Sequence, residues 1–416
     1  MKILVLGSGI VGTTCAYFLA RDGHEVHVVD RQPKAANETS WGNAGMVSPG
    51  HAYSWASPRA PGILWRSLFR DDTALKLKPV ADPRMYLWGL KFLQNCTVER
   101  ARENTANKLR LCLYSQRMLQ EILDADPVEF HRVTGGALFL YRDPELFKAG
   151  VANSRVLTDN GLRLETLTPE QVAEREPALA ATKDRLAGAI FCPSDESGDC
   201  PMFSNGLAAI CRNKYGATFH FETKIRRLVA SGDRIERVET DKGDMTADAY
   251  VLALGSESPF LARGIGVDLP IYPVKGLSLT IPIAGRNGAP RLSGVDEQNL
   301  VAWSRLGDRL RLTAKAIFAG YDTSHKPPDF AHMMKVAQEL FPDGGDFGKP
   351  IYWAGLRPMT PGGAPILGQG RHRNLWFNTG QGHMGWTMSF GSSRITADLI
   401  AGRKPEIDLK GLTYAG

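Results

Sequence analysis

No apolar run in this chain approaches the roughly 18 to 20 residues that a membrane-spanning helix needs. Glycines interrupt the first apolar stretch, as a nucleotide site requires and a secretory leader does not, so neither a span nor a leader is expected. Cysteine is scarce: Cys15, Cys96, Cys112, Cys192, Cys200 and Cys211 form no C-x-x-C pair. That spacing argues against a disulfide framework or a metal site and favours reduced thiols in a cytoplasmic setting. Internal repeats, low-complexity tracts and nucleic-acid motifs are missing as well. What remains is 416 residues, 43% hydrophobic and 23% charged, too long for one core and expected to build two.

The most informative stretch present is KILVLGSGIVGTTCAYFLARDGHEVHVVD, residues 2 to 30. A buried parallel strand feeds a tight turn in which Gly7, Gly9 and Gly12 keep the G-x-G-x-x-G spacing, with Ser8, Ile10 and Val11 between them. Gly7 permits the turn, Gly9 lets a pyrophosphate approach the backbone, and Gly12 lets the helix lie close on the strand. The helix N-terminus then offers free N–H groups to the phosphates. Asp30 ends a second strand, where a carboxylate can take ribose hydroxyls, and an acid there argues against a 2′-phosphate. This fingerprint does not separate NAD from FAD.

The order of elements predicts an α/β protein: a Rossmann-like nucleotide-binding domain interrupted by an α+β substrate domain with an antiparallel sheet. The nucleotide-binding part is expected over 1–80, 150–260 and 345–416, and the substrate part over 81–149 and 261–344. Residues Thr39 to Gly62 read as a functional loop, Pro83 to Gln94 and Glu99 to Leu123 as helices, and residues 271–283 and 309–318 as strands. A second glycine-rich turn, Gly380, Gly382 and Gly385, opens a helix running to about Ala401. Its N-terminus would aim positive backbone dipole at a second point of a cofactor. A flavin collects negative charge on reduction and gains from such donors, whereas a nicotinamide has little use for them, so FAD is favoured.

With WAGLRPMTPGGAPILG at 353 to 368, the chain resembles the D-amino acid oxidase superfamily of FAD-dependent amine oxidoreductases, and within it the bacterial D-amino acid dehydrogenase, small-subunit type. The resemblance spans nearly the whole length. Its further signposts are VLGSGIVG with Asp30, Arg31 and Pro33, then ETSWGNAGMVSPG, PSDESGDC, IYPVKGLSLTIPI and NTGQGHMGWTMSFGS. It implies that Arg357 grips a substrate carboxylate, for which a guanidinium fork is the suitable tool. It also implies that Thr39, Ser40, Asn43, Ala44, Gly45 and Met46 wrap flavin and pyrophosphate, and that His51 and Tyr53 are candidate substrate contacts. Ile225 is expected on the adenine side, with Ala253 and Gly255 closing the pocket. Gly355, in the arginine motif, is expected among the cofactor-binding residues. Met384, Gly385, Trp386 and Thr387 are expected at the flavin, and His383 either meets flavin or substrate or caps the helix. No Cys or His matches the family's covalent anchor, so the resemblance implies noncovalent FAD.

The implied reaction is oxidative deamination of D-amino acids by hydride transfer from the α-carbon to flavin N5, yielding a 2-oxo acid and ammonium without a side-chain base. Electrons are expected to pass to a quinone or another respiratory acceptor. The same fold also suits N-substituted or cyclic amino acids such as hydroxyproline, sarcosine or proline, and a non-catalytic nucleotide-binding role is the remaining alternative. Net charge is +6, and residues 59–110, with eleven Lys or Arg against five acids, carry the same excess. Trp65, Phe69, Tyr86, Trp88 and Phe92 lie among these cations, a mixture suited to peripheral contact with the inner face of an anionic membrane or with an acidic partner protein; the alternative is that the aromatics are core and the cations an ordinary solvated face.

Overall fold

The computed structural model describes residues 1–67 and 75–414. Its first sheet has six strands in the order Ile366–Gln369, Leu375–Thr379, Ala249–Leu252, Lys2–Leu6, Glu25–Val29, Thr218–His220. All neighbours are parallel except the Ile366–Gln369 edge strand. Alternate side chains of the opening strand enter different cores. Ile3 and Val5 meet helices Ile10–Arg21, Val98–Ala125, Cys200–Asn213 and Gly385–Ile400, while Leu4 and Leu6 meet the antiparallel sheet of residues 225–245. A parallel sheet covered on both faces needs such continuous apolar strands, which is why KILVL folds here.

The second sheet is larger and mostly antiparallel. It runs through Ile351–Met359, Tyr272–Pro282, Arg309–Phe318, Val301–Leu306, Ser293–Asp296, Ala137–Tyr141, Gly188–Cys192 and Glu165–Leu167, with Leu75–Leu77 pairing beside Arg309–Phe318. Leu277, Leu279, Leu310, Leu312 and Trp303 form its core with helix Ala331–Leu340. The chain leaves the first sheet twice to build it, between Val29 and Thr218 and between Leu252 and Ile366.

Pairing moves the expected boundaries. Gly188–Cys192, within 150–260, and Ile351–Met359, within 345–416, are strands of the large sheet. Helix Val98–Ala125, wholly within 81–149, packs instead against Gly385–Ile400. Sheet membership is fixed by hydrogen-bond partners far away in sequence, which segment composition does not record. The stretch expected as a loop from Thr39 to Gly62 also contains the short strand Met46–Val47, a 3-10 turn Pro49–His51 and the start of helix Ala60–Ser67.

Of the aromatics in the basic segment, two follow the core alternative. Trp88 and Phe92 are buried against Tyr272, Phe318 and Met359, and Trp88 Nε1 donates to the Met359 carbonyl at 2.9 Å, so Trp88 does not join a membrane-facing side. Their partners are apolar residues of the second sheet, a better environment for two large rings than water. Phe69, Arg70, Asp71 and Asp72 lie outside the described residues.

Candidate functional site

A cavity of about 1660 Å³ runs between the two sheets. At one end stands the first strand-turn-helix. Gly7 has φ +106°, and a Cβ there would lie 2.8 Å from the Ala253 carbonyl oxygen; a Cβ on Gly12 would lie 1.9 Å from that of Gly7. These two glycines are required by protein packing alone. Gly9 is different, since a Cβ would meet only Ser40 Oγ, at 3.4 Å, leaving its side of the turn open toward the cavity. Such a bare backbone at a helix start, uncapped by its own side chain, is a cradle for a phosphate.

Asp30 lines the same end. One carboxylate oxygen accepts from the backbone N–H and hydroxyl of Ser8 at 2.6 and 2.8 Å, and the other from Gln32 N–H at 2.8 Å. Burial raises its pKa although these bonds oppose the rise. Arg31 forms a fork with Glu38, at 2.6 and 3.0 Å, and so is committed within the protein. Ile225, Ala253 and Gly255 border the cavity nearby.

The loop from Thr39 is held from both sheets. Ser40 Oγ accepts from Ile10 N–H at 3.1 Å, Thr39 Oγ1 donates to the Leu356 carbonyl at 2.9 Å, and Asn43 Oδ1 accepts from Gly45 N–H at 2.8 Å. Arg311, only 2% exposed, donates Nη1 to the carbonyls of Trp41 and Asn43 and Nε to Thr280 Oγ1. Gly42 and Gly355 make room for Trp353, whose ring would lie 2.0 Å and 1.8 Å from Cβ atoms placed there.

Arg357 projects from the neighbouring strand Ile351–Met359 into the cavity. Its open surface faces that cavity, and burial lowers its guanidinium to about 10. One bond is recorded for it, Nη1 to the Lys315 carbonyl at 2.8 Å, and among the described residues no carboxylate forms an ion pair with it. Lys315 has φ +64° beside a register shift in the pairing of Arg309–Phe318 with Tyr272–Pro282, and this bulge turns its carbonyl toward Arg357. Across the strand, a Cβ on Gly276 would lie 2.5 Å from the guanidinium carbon, so only glycine leaves space for the head group.

His51 and Tyr53 also line the cavity. His51 Nε2 lies 3.1 Å from Glu297 Oε1, and the Glu297 charge keeps the imidazole pKa raised although burial opposes it. Burial raises the Tyr53 phenol strongly. Behind His51, the buried Asp195 accepts from Ser48 Oγ and from Gly50 N–H at 3.0 Å, and burial pushes its carboxyl up to about 6. Lys108 is fully buried, donates Nζ to the Tyr53 carbonyl at 2.8 Å, and is pushed down to about 8.

The second glycine-rich turn closes the cavity. Gly380 and Gly382 have φ +77° and +61°, and helix Gly385–Ile400 follows. His383 stacks on Trp55 at 4.7 Å and burial drives its pKa well below the usual value, so the ring is neutral. It does not cap the helix. His383 Nε2 and Trp386 Nε1 are buried without a hydrogen-bond partner, which marks them as waiting for a ligand. Met384, Gly385 and Thr387 line the wall, and Thr387 Oγ1 accepts from Ser48 N–H at 3.1 Å.

The structure thus gathers Gly7, Gly9, Ile10, Val11, Asp30, Arg31, Thr39, Ser40, Asn43, Ala44, Met46, Gly355 and Arg357 around one space with the residues just named. Ser8, Gly12, Gly45 and Gly380 stand behind the wall as supports. Sequence reasoning missed Arg311, Gly276, Lys315, Glu297, Asp195 and Lys108 as neighbours of the site. Asp195 and Gly276 lay inside the quoted PSDESGDC and IYPVKGLSLTIPI, but nothing local marked their partners Ser48 and Arg357; the others carry no local signal.

Comparison with known proteins gives the same frame. The model of the DAO family, FAD dependent oxidoreductase, matches residues 2–399. The chain is 46% identical over 416 residues, all of both chains, to D-amino acid dehydrogenase 2 of Mesorhizobium japonicum. It is 44% identical to the D-amino acid dehydrogenase of Paramagnetospirillum magneticum, over 99% of this chain and 98% of that one. Among solved structures, glycine oxidase from Geobacillus kaustophilus superposes with a TM-score of 0.77 at 20% identity, covering 100% of each chain.

Proposed function

The chain belongs to the DAO family of FAD-dependent oxidoreductases, and from that premise we propose that it oxidises D-amino acids to 2-oxo acids and ammonium. The single observation that carries this reading is Arg357, a half-buried cation facing a cavity with unspent donors and, among the described residues, no carboxylate paired with it. A buried charge without a partner is costly, and an α-carboxylate supplies the missing anion in the planar geometry that a guanidinium grips with two bonds. The two relatives named D-amino acid dehydrogenase support the D-configuration and the dehydrogenase chemistry.

The residues present fit FAD. The open cradle at Gly9 with the N-terminus of Ile10–Arg21 would hold the pyrophosphate, Asp30 the ribose, and the Thr39–Met46 loop the middle of the cofactor. The unpartnered His383 and Trp386 nitrogens and the start of helix Gly385–Ile400 would meet its ring end. When bound, FAD supplies the hydride acceptor for the α-carbon. Arg357 fixes the carboxylate and thereby the direction in which the α-C–H points, so positioning replaces a strong base. His383, neutral in its buried stack, adds no positive charge beside the substrate amine. The helix start offers backbone N–H groups where negative charge gathers. Loss of the α-hydrogen and one amine hydrogen leaves an imino acid, which water converts to the 2-oxo acid and ammonium.

Two electrons and two protons then leave for a quinone, which becomes a quinol, or for another respiratory acceptor. The protein works in the cytoplasm in peripheral contact with the inner membrane. The basic segment from 59 to 110 supports that contact. Anaerobic bleaching of the holoprotein against D-, L- and N-substituted amino acids is the test. Bleaching by D-amino acids with release of the matching 2-oxo acid is expected; bleaching only by L- or N-substituted compounds overturns the substrate assignment. Acid precipitation should release intact FAD, and colour retained in the pellet would contradict noncovalent binding.

A further inference from the structure

Seven of the twelve exposed large hydrophobic side chains among the described residues lie between positions 63 and 98. Helix Pro83–Gln94 explains the concentration. Met85, Trp88 and Phe92 point inward, yet Tyr86, Leu87, Leu90 and Leu93 on the opposite side are 46 to 59% exposed. A surface helix normally turns charge outward. This one is apolar on both faces, and helix Ala60–Ser67, which shares its inner core cluster through Ala60 and Leu64, also leaves Ile63 and Trp65 exposed. Contiguous exposed apolar surface marks a place of docking.

The surrounding charge chooses the partner. Between 59 and 98, Arg59, Arg66, Lys78, Arg84 and Lys91 are exposed, while the one described acid, Asp82, is half-buried and caps its helix by accepting from Arg84 N–H. An apolar stripe bordered by cations matches an anionic bilayer, with leucines among the acyl chains and Arg and Lys at the headgroups. The position is equally informative. The inner face of the helix packs on Met359, two residues from Arg357, and Ile63, Leu64, Phe92 and Val98 border the cavity itself.

We infer that the outer face of helix Pro83–Gln94, with its flanking cations, is the surface by which this protein sits on an anionic lipid bilayer, setting that side of the cavity against the membrane. This sharpens the membrane contact proposed above and rests on it. A lipid-dissolved acceptor then approaches along an apolar path instead of through water.

Co-sedimentation of the holoprotein with vesicles of phosphatidylglycerol and phosphatidylcholine, against phosphatidylcholine alone, tests it. Leu87→Asp combined with Leu90→Asp is the informative variant, because both side chains already face solvent and the fold does not need them. Binding to the anionic vesicles, reduced about tenfold in that variant, is expected. Arg84→Gln with Lys91→Gln should weaken binding mainly at low salt and serves if the aspartate variant fails to fold. Wild-type protein left in the supernatant overturns the membrane contact itself. Binding that persists unchanged in both variants keeps the contact but overturns this face, as does a concentration-dependent dimer that the variants dissociate without any effect on vesicles. Oxidation of D-amino acids with a soluble dye, measured in parallel, reports on the reaction independently and is expected unchanged in both variants.

Discussion

Arg311 and Arg357 stand on strands of the same sheet, each in a setting that lowers its guanidinium to about 10 through burial. Arg311 spends its donors inside the protein, on Thr280 and on the carbonyls of Trp41 and Asn43, with its plane over the Trp41 ring at 5.1 Å. Arg357 is recorded with one bond, to Lys315, and turns the rest of its fork to the cavity. Burial does not distinguish a structural arginine from a ligand-binding one. The count of satisfied donors does: the first arginine fastens the loop of one domain to the sheet of the other, and the second keeps donors turned to the cavity, the feature on which its proposed grip on a substrate carboxylate rests.

The comparison can be broken from several sides. Arg357→Lys should cost about 2 to 4 kcal/mol of transition-state stabilisation, because a point charge cannot make two parallel bonds to one carboxylate. FAD content should be unchanged, and an unaltered kcat/KM would remove Arg357 from the site. Asp195 extends the contrast to a buried anion. Its folded pKa of about 6 lies above the ordinary aspartate value of about 3.9, so its contribution to stability is full below pH 4 and is lost as pH rises through 6. The loss amounts to about 2 to 3 kcal/mol, and urea unfolding of Asp195→Asn across this range should be flatter than wild type by that amount.

Arg311→Met should reverse the Arg357 pattern. Leaving the Trp41 and Asn43 carbonyls without their donor costs about 2 kcal/mol of stability and loosens FAD, while KM measured at saturating FAD stays near wild type. A variant with normal FAD affinity and a raised KM would place Arg311 on the substrate side. The smallest expected effect is that of Gly276→Ala. A methyl group 2.5 Å from the guanidinium carbon must displace it, raising KM for amino acids roughly tenfold, about 1.4 kcal/mol, with kcat less affected. Unchanged KM would mean that the arginine relaxes freely, and its fixed aim would no longer be part of the account.

The nucleotide end of the site was legible because its signals are consecutive. Strand, glycines, helix and Asp30 fall within 30 residues, and Gly7 and Gly12 have the tight neighbours their spacing implied. The role proposed for Arg357 came only through resemblance, since nothing local in sequence distinguishes it from Arg311. Helix Pro83–Gln94 was legible as a helix but not in its orientation, and whether Trp88 faces core or surface stayed open because every aromatic in that segment looks alike from sequence.

By itself, then, the sequence determined the strand-turn-helix at residues 2–30, the glycine turn at 380–385, helix Pro83–Gln94 and the strands near 271–283 and 309–318, because backbone sterics and periodicity act between neighbours along the chain. Tertiary structure alone decided which strands share a sheet, that Gly276 makes room for Arg357, that Lys315 turns its carbonyl toward it, and which apolar face of one helix stays uncovered. Those relations join residues tens to hundreds of positions apart. They arise from burial and hydrogen-bond pairing, and both depend on what folding brings alongside.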